Sequence, residues 1–221
     1  MRCLWKSSIL GRRRRRPERK RLSTKSRSHL VWIDLETTGL DPETHVILEI
    51  ATLITDRELN VVARGPTLVV HQPEEVLARA DPWARKQHES SGLLAEVKGS
   101  LVSLAQAEEE TLAFLKAHIP PRACPLCGSS ICLDRRFLVR YMPRVSEYLS
   151  YRHVDVSSIK ELVARWYPEK IVHHRQASPH RALPDILSSI AELRYYREQV
   201  FRRPAGVLLR ELSRDGSATD L

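Results

Sequence analysis

The sequence contains no apolar run close to the ~20 residues that a helix needs to span a bilayer, which speaks against a membrane protein. Its first residues lack the apolar core of ~7–15 residues that marks a secretory signal. Cysteine is scarce, at four residues: Cys3, Cys124, Cys127 and Cys132. Cys124-Pro-Leu-Cys127 is a lone CxxC, and a structural zinc site needs a second Cys or Cys/His pair at similar spacing. With only Cys132 nearby, the pair reads as buried thiols of a reducing cytosol. No internal repeat is visible. Acids are almost missing from residues 1–29, where Glu18 stands alone among 12 Lys and Arg.

What is present is ordinary for a globular chain: 221 residues, 42% hydrophobic and 29% charged. That composition excludes collagen-like and wholly disordered chains, and the length fits one domain or at most two small ones. The net charge of +9 belongs to the leader, because the other 192 residues carry 24 basic and 26 acidic side chains. The leader, residues 1–29 with the unbroken run Arg12 to Arg16, repels itself and has little to bury, so disorder is expected there. It reads equally as an organelle transit peptide, a polyanion-binding arm or an extension from an upstream start codon. The protein is therefore expected in the cytoplasm, or in the mitochondrion if the leader is a transit peptide. Arg203-Pro204-Ala205-Gly206 breaks the preceding helix, and 204–221 reads as a flexible tail. Residues 30–203 remain as one domain able to bury a good core.

Within that domain, Leu30–Leu35, Val46–Thr55 and Val61–His71 read as strands with short turns, an antiparallel meander. Leu104, Ala107, Thr111, Phe114, Leu115 and His118 fall on one helical face. Ala123–Ile131 reads as a short strand, Asp134–Tyr141 as a helix and His153–Val156 as another short strand. Ser158 with Glu161 predicts a capping box, opening a helix whose apolar stripe is Ile159, Leu162, Val163 and Trp166. The last helix is expected from about Ala182 to Phe201, with Leu183, Ile186, Leu187, Ile190 and Leu193 inward and Pro184 tolerated in its first turn. The expected class is α/β, a mixed sheet with helices packed on it.

Three acidic patterns could carry chemistry. Asp34 and Glu36 end an apolar strand at i and i+2, so both carboxylates share one face. Unpaired they raise one another's pKa, and a hard divalent cation removes that cost; the same pattern also fits an exposed strand end. His180 and Asp185 open the last helix: a histidine can take a proton from water near neutral pH and the carboxylate can hold a metal, or else Asp185 simply complements the helix dipole. Asp134 opens another helix, as a ligand or as an N-cap, with Asp155 as a rival third acid. Together such groups can hold two divalent ions at the spacing used for in-line displacement at phosphorus.

With these residues in view, the segments WIDLETTGLD, ILEIATLITD, LNVVARGPTLVVHQP, SGLLAEVK, DRRFLVRYMP, YRHVDVSSIKELVARWYPE and HRALPDI resemble the DEDDh branch of the 3′-to-5′ exonucleases and, within it, the oligoribonuclease family. The resemblance covers nearly all of 30–203. It implies an RNase H-like fold with a mixed five-stranded sheet flanked by helices, a homodimer, and trimming of short RNAs, mainly dinucleotides, to 5′-mononucleotides with two Mg²⁺ or Mn²⁺ ions. It implies that Asp34, Glu36, Asp134 and Asp185 are metal ligands and His180 the general base. Asp34 is expected to bridge the ions, Glu36 and Asp185 to complete the first, and Asp134 to support the second. Leu40 is expected to wedge between the two bases, Trp83 to pack beside the substrate, and Ser130 and His88 to line the pocket. Tyr151 and Arg152 of the partner subunit are expected to close over the 5′ phosphate, which suits the planar arginine fork. Four departures from the family pattern are Thr37 for Met, Pro184 for Asp, Ser129 for Asn and Leu133 for Gln. The last two touch the 5′ pocket and leave open an exonuclease that trims longer RNA or DNA 3′ ends.

Overall fold

The structure, a computed structural model, describes residues 26–167 and 180–201. The expected leader, apart from 26–29, and the expected tail lie outside the described residues, as does Pro179. Strand β1 (Leu30–Thr37) pairs antiparallel with β2 (Ile47–Thr55), and β2 antiparallel with β3 (Val61–Val69). On the other side of β1 lie two parallel strands, β4 (Leu126–Gly128) and β5 (His153–Asp155), giving the mixed order β3-β2-β1-β4-β5. The expected meander and five-stranded mixed sheet are both observed.

β1 is the central strand because both of its faces are apolar: Val31, Trp32 and Ile33 are all fully buried. Val31 and Ile33 face one core, with Phe137 and Leu138 of α5 (Ile131–Tyr141) and Leu115 of α4 (Leu104–His118). Trp32 faces a second core, with Ile186, Ile190 and Leu193 of α8 (Ala182–Gln199) and Val163 of α7 (Val156–Trp166). Its indole N–H donates to Thr55 Oγ1 at 3.0 Å, so the one polar atom it buries is satisfied. Each such side chain buried contributes about 1.5–3 kcal/mol.

Several sequence expectations are corrected. Four helices were not anticipated: α1 (Glu74–Leu77), α2 (Pro82–Ser90), α3 (Leu93–Gly99) and α6 (Pro143–Tyr148). They are short, and their apolar periodicity spans too few turns to stand out. The expected strand at 123–131 shrinks to Leu126–Gly128 and the next helix starts at Ile131, so Asp134 sits inside its first turn and is no N-cap. The Ser158–Glu161 capping box does not form. Asp155 caps α7 instead, accepting from the Ser157 N–H, and Ser158 is already helical. In the stripe proposed for α7, Val163 is buried, but Leu162 and Trp166 are 43% and 67% exposed. Leu187 of α8 is likewise at the surface. Cys124 and Cys127 are buried thiols. Among the described residues no helix is long and apolar enough to cross a membrane.

Candidate active site

Trp32, Asp34 and Glu36 alternate onto the same face of β1. α8 covers that face, packing through Ile186 and Ile190 beside Trp32. Asp185, one residue before Ile186, is thereby carried to the carboxyl end of β1. Oxygens of Asp34, Glu36 and Asp185 all lie within 4.8 Å of one another. The fourth acid arrives from the opposite layer. β4 pairs with β1 at Val31 and Trp32, and among the described residues the far half of β1 has no paired strand on that side. The Leu35 N–H in this gap donates to Asp134 Oδ1 of α5 at 3.0 Å. Asp155, the rival acid, accepts from the Ser130 and Ser157 N–H groups and is occupied as a loop and helix cap.

The electrostatics of this cluster are adverse when no cation is bound. Glu36 is pushed up to about 8, first by burial and then by the charges of Asp185, Glu49 and Asp134, with Arg181 opposing. Asp134 is raised too, chiefly by burial and against the Leu35 hydrogen bond. A cluster of hard oxygen ligands whose carboxylates repel one another fits a divalent cation, which reduces that repulsion.

These acids line a cleft of about 980 Å³. His180 lines it in a left-handed conformation (φ 51°), its ring edge-to-face with Trp83 at 5.5 Å. Trp83 is placed by a cap: Asp81 Oδ1 accepts from the Trp83 N–H at 2.9 Å, and the Asp81 N–H donates to the Thr38 carbonyl at 2.8 Å. Leu40 juts from the turn after β1, where Thr37 Oγ1 donates to the Gly39 carbonyl at 2.7 Å. Leu40 and Trp83 both line the cleft and are 68% and 61% exposed.

His88 is nearly buried. Its Nε2 lies 2.9 Å from the Thr37 carbonyl and its Nδ1 3.8 Å from Glu36 Oε2, so it backs Glu36 more than it faces the open cleft. Burial lowers its pKa. Ser130, also left-handed (φ 54°), opens α5 and pairs with Ser157 Oγ at 3.2 Å.

Tyr151 and Arg152 are the two expected residues that do not line this cleft. Both are exposed on the loop before β5, the Arg152 guanidinium 5.1 Å from the Tyr151 ring centre. Sequence reasoning missed Ser157 and Ser189, which also line the cleft, Ser189 pairing with Ser129 Oγ at 2.8 Å. It also missed Glu49, whose signal was a single acid within an apolar strand. Glu49 is paired with Arg181 across 132 positions of sequence.

The Exonuclease family model of the RNase T type matches residues 31–193. The chain is 54% identical over 177 residues to an oligoribonuclease of Pseudomonas syringae pv. tomato, covering 80% of this chain and 98% of that protein. It is 53% identical over 174 residues to the oligoribonuclease of Pseudomonas aeruginosa PAO1 (79% and 97% covered). Among solved structures it is similar to exonuclease I from Methylocaldum szegediense, with a TM-score of 0.60 at 22% identity. It is also similar to Escherichia coli exonuclease I in complex with a dT13 oligonucleotide, with a TM-score of 0.60 at 17% identity. These alignments cover 78% and 77% of this chain and 41% of each exonuclease I chain. The likeness to exonuclease I establishes the fold.

Proposed function

The chain belongs to the RNase T exonuclease family and, within it, to the oligoribonucleases, and on that footing we propose that it is a 3′-to-5′ exoribonuclease degrading short oligoribonucleotides, dinucleotides above all, to 5′-mononucleotides. The observation that carries this reading is the convergence of Asp34, Glu36 and Asp185 within 4.8 Å, with Asp134 and His180 in the same cleft. The RNase H-like sheet brings these residues together at the end of its central strand, and residues 30–203 form the hydrolytic unit.

Asp34, Glu36, Asp134 and Asp185 would hold two divalent cations, magnesium or manganese. Such ions, when bound, lower the pKa of water and offset the charge that develops on the phosphate oxygens. His180 acts as the general base, taking the proton of the attacking water on a ring nitrogen. Leu40 and Trp83 hold the bases and so fix the scissile phosphate against the acids, while Ser130 bonds the substrate's polar edge. His88 steadies Glu36 from behind. The cleft volume of about 980 Å³ is at the upper end for small-ligand sites and suits a few nucleotides. A near-neutral body agrees, because a short substrate offers few phosphates and needs no long basic track.

Tyr151 and Arg152 close over the 5′ phosphate of the partner subunit's substrate in a homodimer. Their exposure away from their own cleft supports this, as do the exposed Leu162 and Trp166 on the neighbouring α7, an apolar surface of the kind that marks association. The reading is tested by turnover of a 5′-phosphorylated diribonucleotide with and without magnesium, in competition with a 20-mer. Rapid, metal-dependent cleavage of the dinucleotide is expected. Equal rates on both lengths would favour an exonuclease of longer 3′ ends.

A further inference from the structure

Arg181 follows His180 directly and is the N-cap residue of α8, yet it does not line the cleft. Its guanidinium grips carboxylates from two other elements. Nη2 donates to Glu49 Oε1 of β2 at 2.8 Å, with Nε 3.2 Å from both Glu49 oxygens. Nη1 and Nη2 donate to Glu96 Oε1 and Oε2 of α3 at 2.7 and 2.8 Å. Glu49 Oε2 also accepts the Ala182 N–H at 2.9 Å, and the Arg181 carbonyl accepts the Asp185 N–H at 3.1 Å. The segment 180–185 is therefore tied to the sheet at both its side chain and its backbone.

The clamp has an electrostatic reason. Glu49 is 1% exposed and lies directly across the β1–β2 ladder from Glu36. Like charges opposite one another on a sheet repel, and a buried carboxylate without a partner is strongly unfavourable. The bidentate guanidinium offsets part of the Glu49 charge and so weakens its repulsion of Glu36 across the ladder. The clamp also has a geometric reason. A histidine at φ 51° holds a backbone conformation that persists only where its surroundings fix it.

We infer that Arg181 is a positioning residue of this site: by gripping β2 and α3 together it fixes His180 and the first turn of α8, and so places the general base and Asp185 against Asp34 and Glu36. The inference rests on the hydrolytic reading above. Glu96 acts only through Arg181, and α3 adjoins α2, so the same clamp joins the wall that carries Trp83 to the helix that carries Asp185.

The test uses the full chain and the variants Arg181→Met, Glu96→Gln and Arg181→Met/Glu96→Gln, with kcat and KM measured on a 5′-phosphorylated diribonucleotide at saturating magnesium. Hydrogen exchange at the amides of Ala182, Leu183, Asp185 and Ile186 is followed in parallel. Because misplacement by ~1 Å can cost ~10²-fold, Arg181→Met is expected to lower kcat by about 10- to 100-fold with KM changed less than about 3-fold. Glu96→Gln is expected to give a smaller loss, and the double variant no more than Arg181→Met alone. Exchange at these four amides should rise in Arg181→Met while the strand amides stay protected. If Arg181→Met leaves Glu49 bare and does not fold, Glu49→Gln/Arg181→Met replaces it, since the glutamine oxygen still accepts the Ala182 N–H. If that variant also fails to fold, Glu96→Gln decides, and an unchanged kcat there overturns the proposal. An unchanged kcat in a folded Arg181 variant overturns it as well, as does a loss confined to KM or additive losses in the double variant. A parent protein that cleaves no RNA would instead refute the hydrolytic reading, and the exchange measurement would still judge the clamp.

Discussion

Glu36 shows what the site costs at the level of one residue. Its carboxyl is raised to about 8 by burial and by Asp185, Glu49 and Asp134, so the folded metal-free protein binds a proton there that the unfolded chain releases near pH 4.5. Folding stability then falls as pH rises through that window, and the loss is complete above about pH 8. In EDTA, the melting temperature should be lower at pH 8 than at pH 5.5, and Glu36→Gln should flatten this dependence. Magnesium or manganese should restore stability most at the higher pH, because binding displaces the proton; differential scanning fluorimetry across pH measures all three. For turnover, Asp34→Ala and Asp185→Ala should each abolish activity by several orders of magnitude. His180→Ala should cost ~10²–10⁴-fold, as for a lost general base. Steady-state rates on a dinucleotide would separate the two classes, and a fully active Asp34→Ala protein would end the metal argument.

Among the elements, β4 matters for being short. Three residues suffice to pair with the start of β1 and leave the Leu35 N–H open for Asp134. α5 holds Asp134 there by burying Phe137 and Leu138 against the sheet. The turn after β1 depends on an equally local fit. A Cβ on Gly39 would stand 2.5 Å from His45 Nε2, and His45 is held at Nδ1, 3.3 Å from Thr38 Oγ1. Gly39→Ala should therefore displace the turn and Leu40 with it, while β1 keeps its acids in place. An apolar contact of that kind is worth ~1–3 kcal/mol, so kcat/KM for a dinucleotide should fall about 10-fold. Unchanged kcat and KM in a folded Gly39→Ala protein would place Leu40 outside the substrate site.

For the whole molecule, the proposed homodimer has each subunit closing the cleft of the other. If Tyr151 and Arg152 act in trans, an Asp34→Ala protomer still offers a working lid, and an Arg152→Ala protomer a working set of acids. Mixing and re-equilibrating the two inactive variants should then restore about a quarter of the sites, since half the dimers formed are mixed and each holds one complete site. Activity no greater than the sum of the separate variants would show that the lid serves its own cleft.

The sequence alone determined the strands, the long helices and the residue types of the site. Those features are written locally: Val-Trp-Ile before Asp34 and Glu36 is a buried strand ending in acids, and the stripe from Leu104 to His118 is a helix. The mixed five-stranded sheet followed from the family likeness and is present. The short helices between 74 and 99 were not legible, because four to nine residues carry too little periodicity. Nor was the true cap of α7, because Asp155 and Ser158 are equally good caps until packing chooses one. What tertiary structure decided was partnership over distance: that Asp134 and not Asp155 lies beside β1, that α8 covers the Trp32 face and brings Asp185 with it, and that Arg181 answers Glu49. A carboxylate's meaning depends on which charges stand within a few ångströms, and only the folded sheet sets those neighbours.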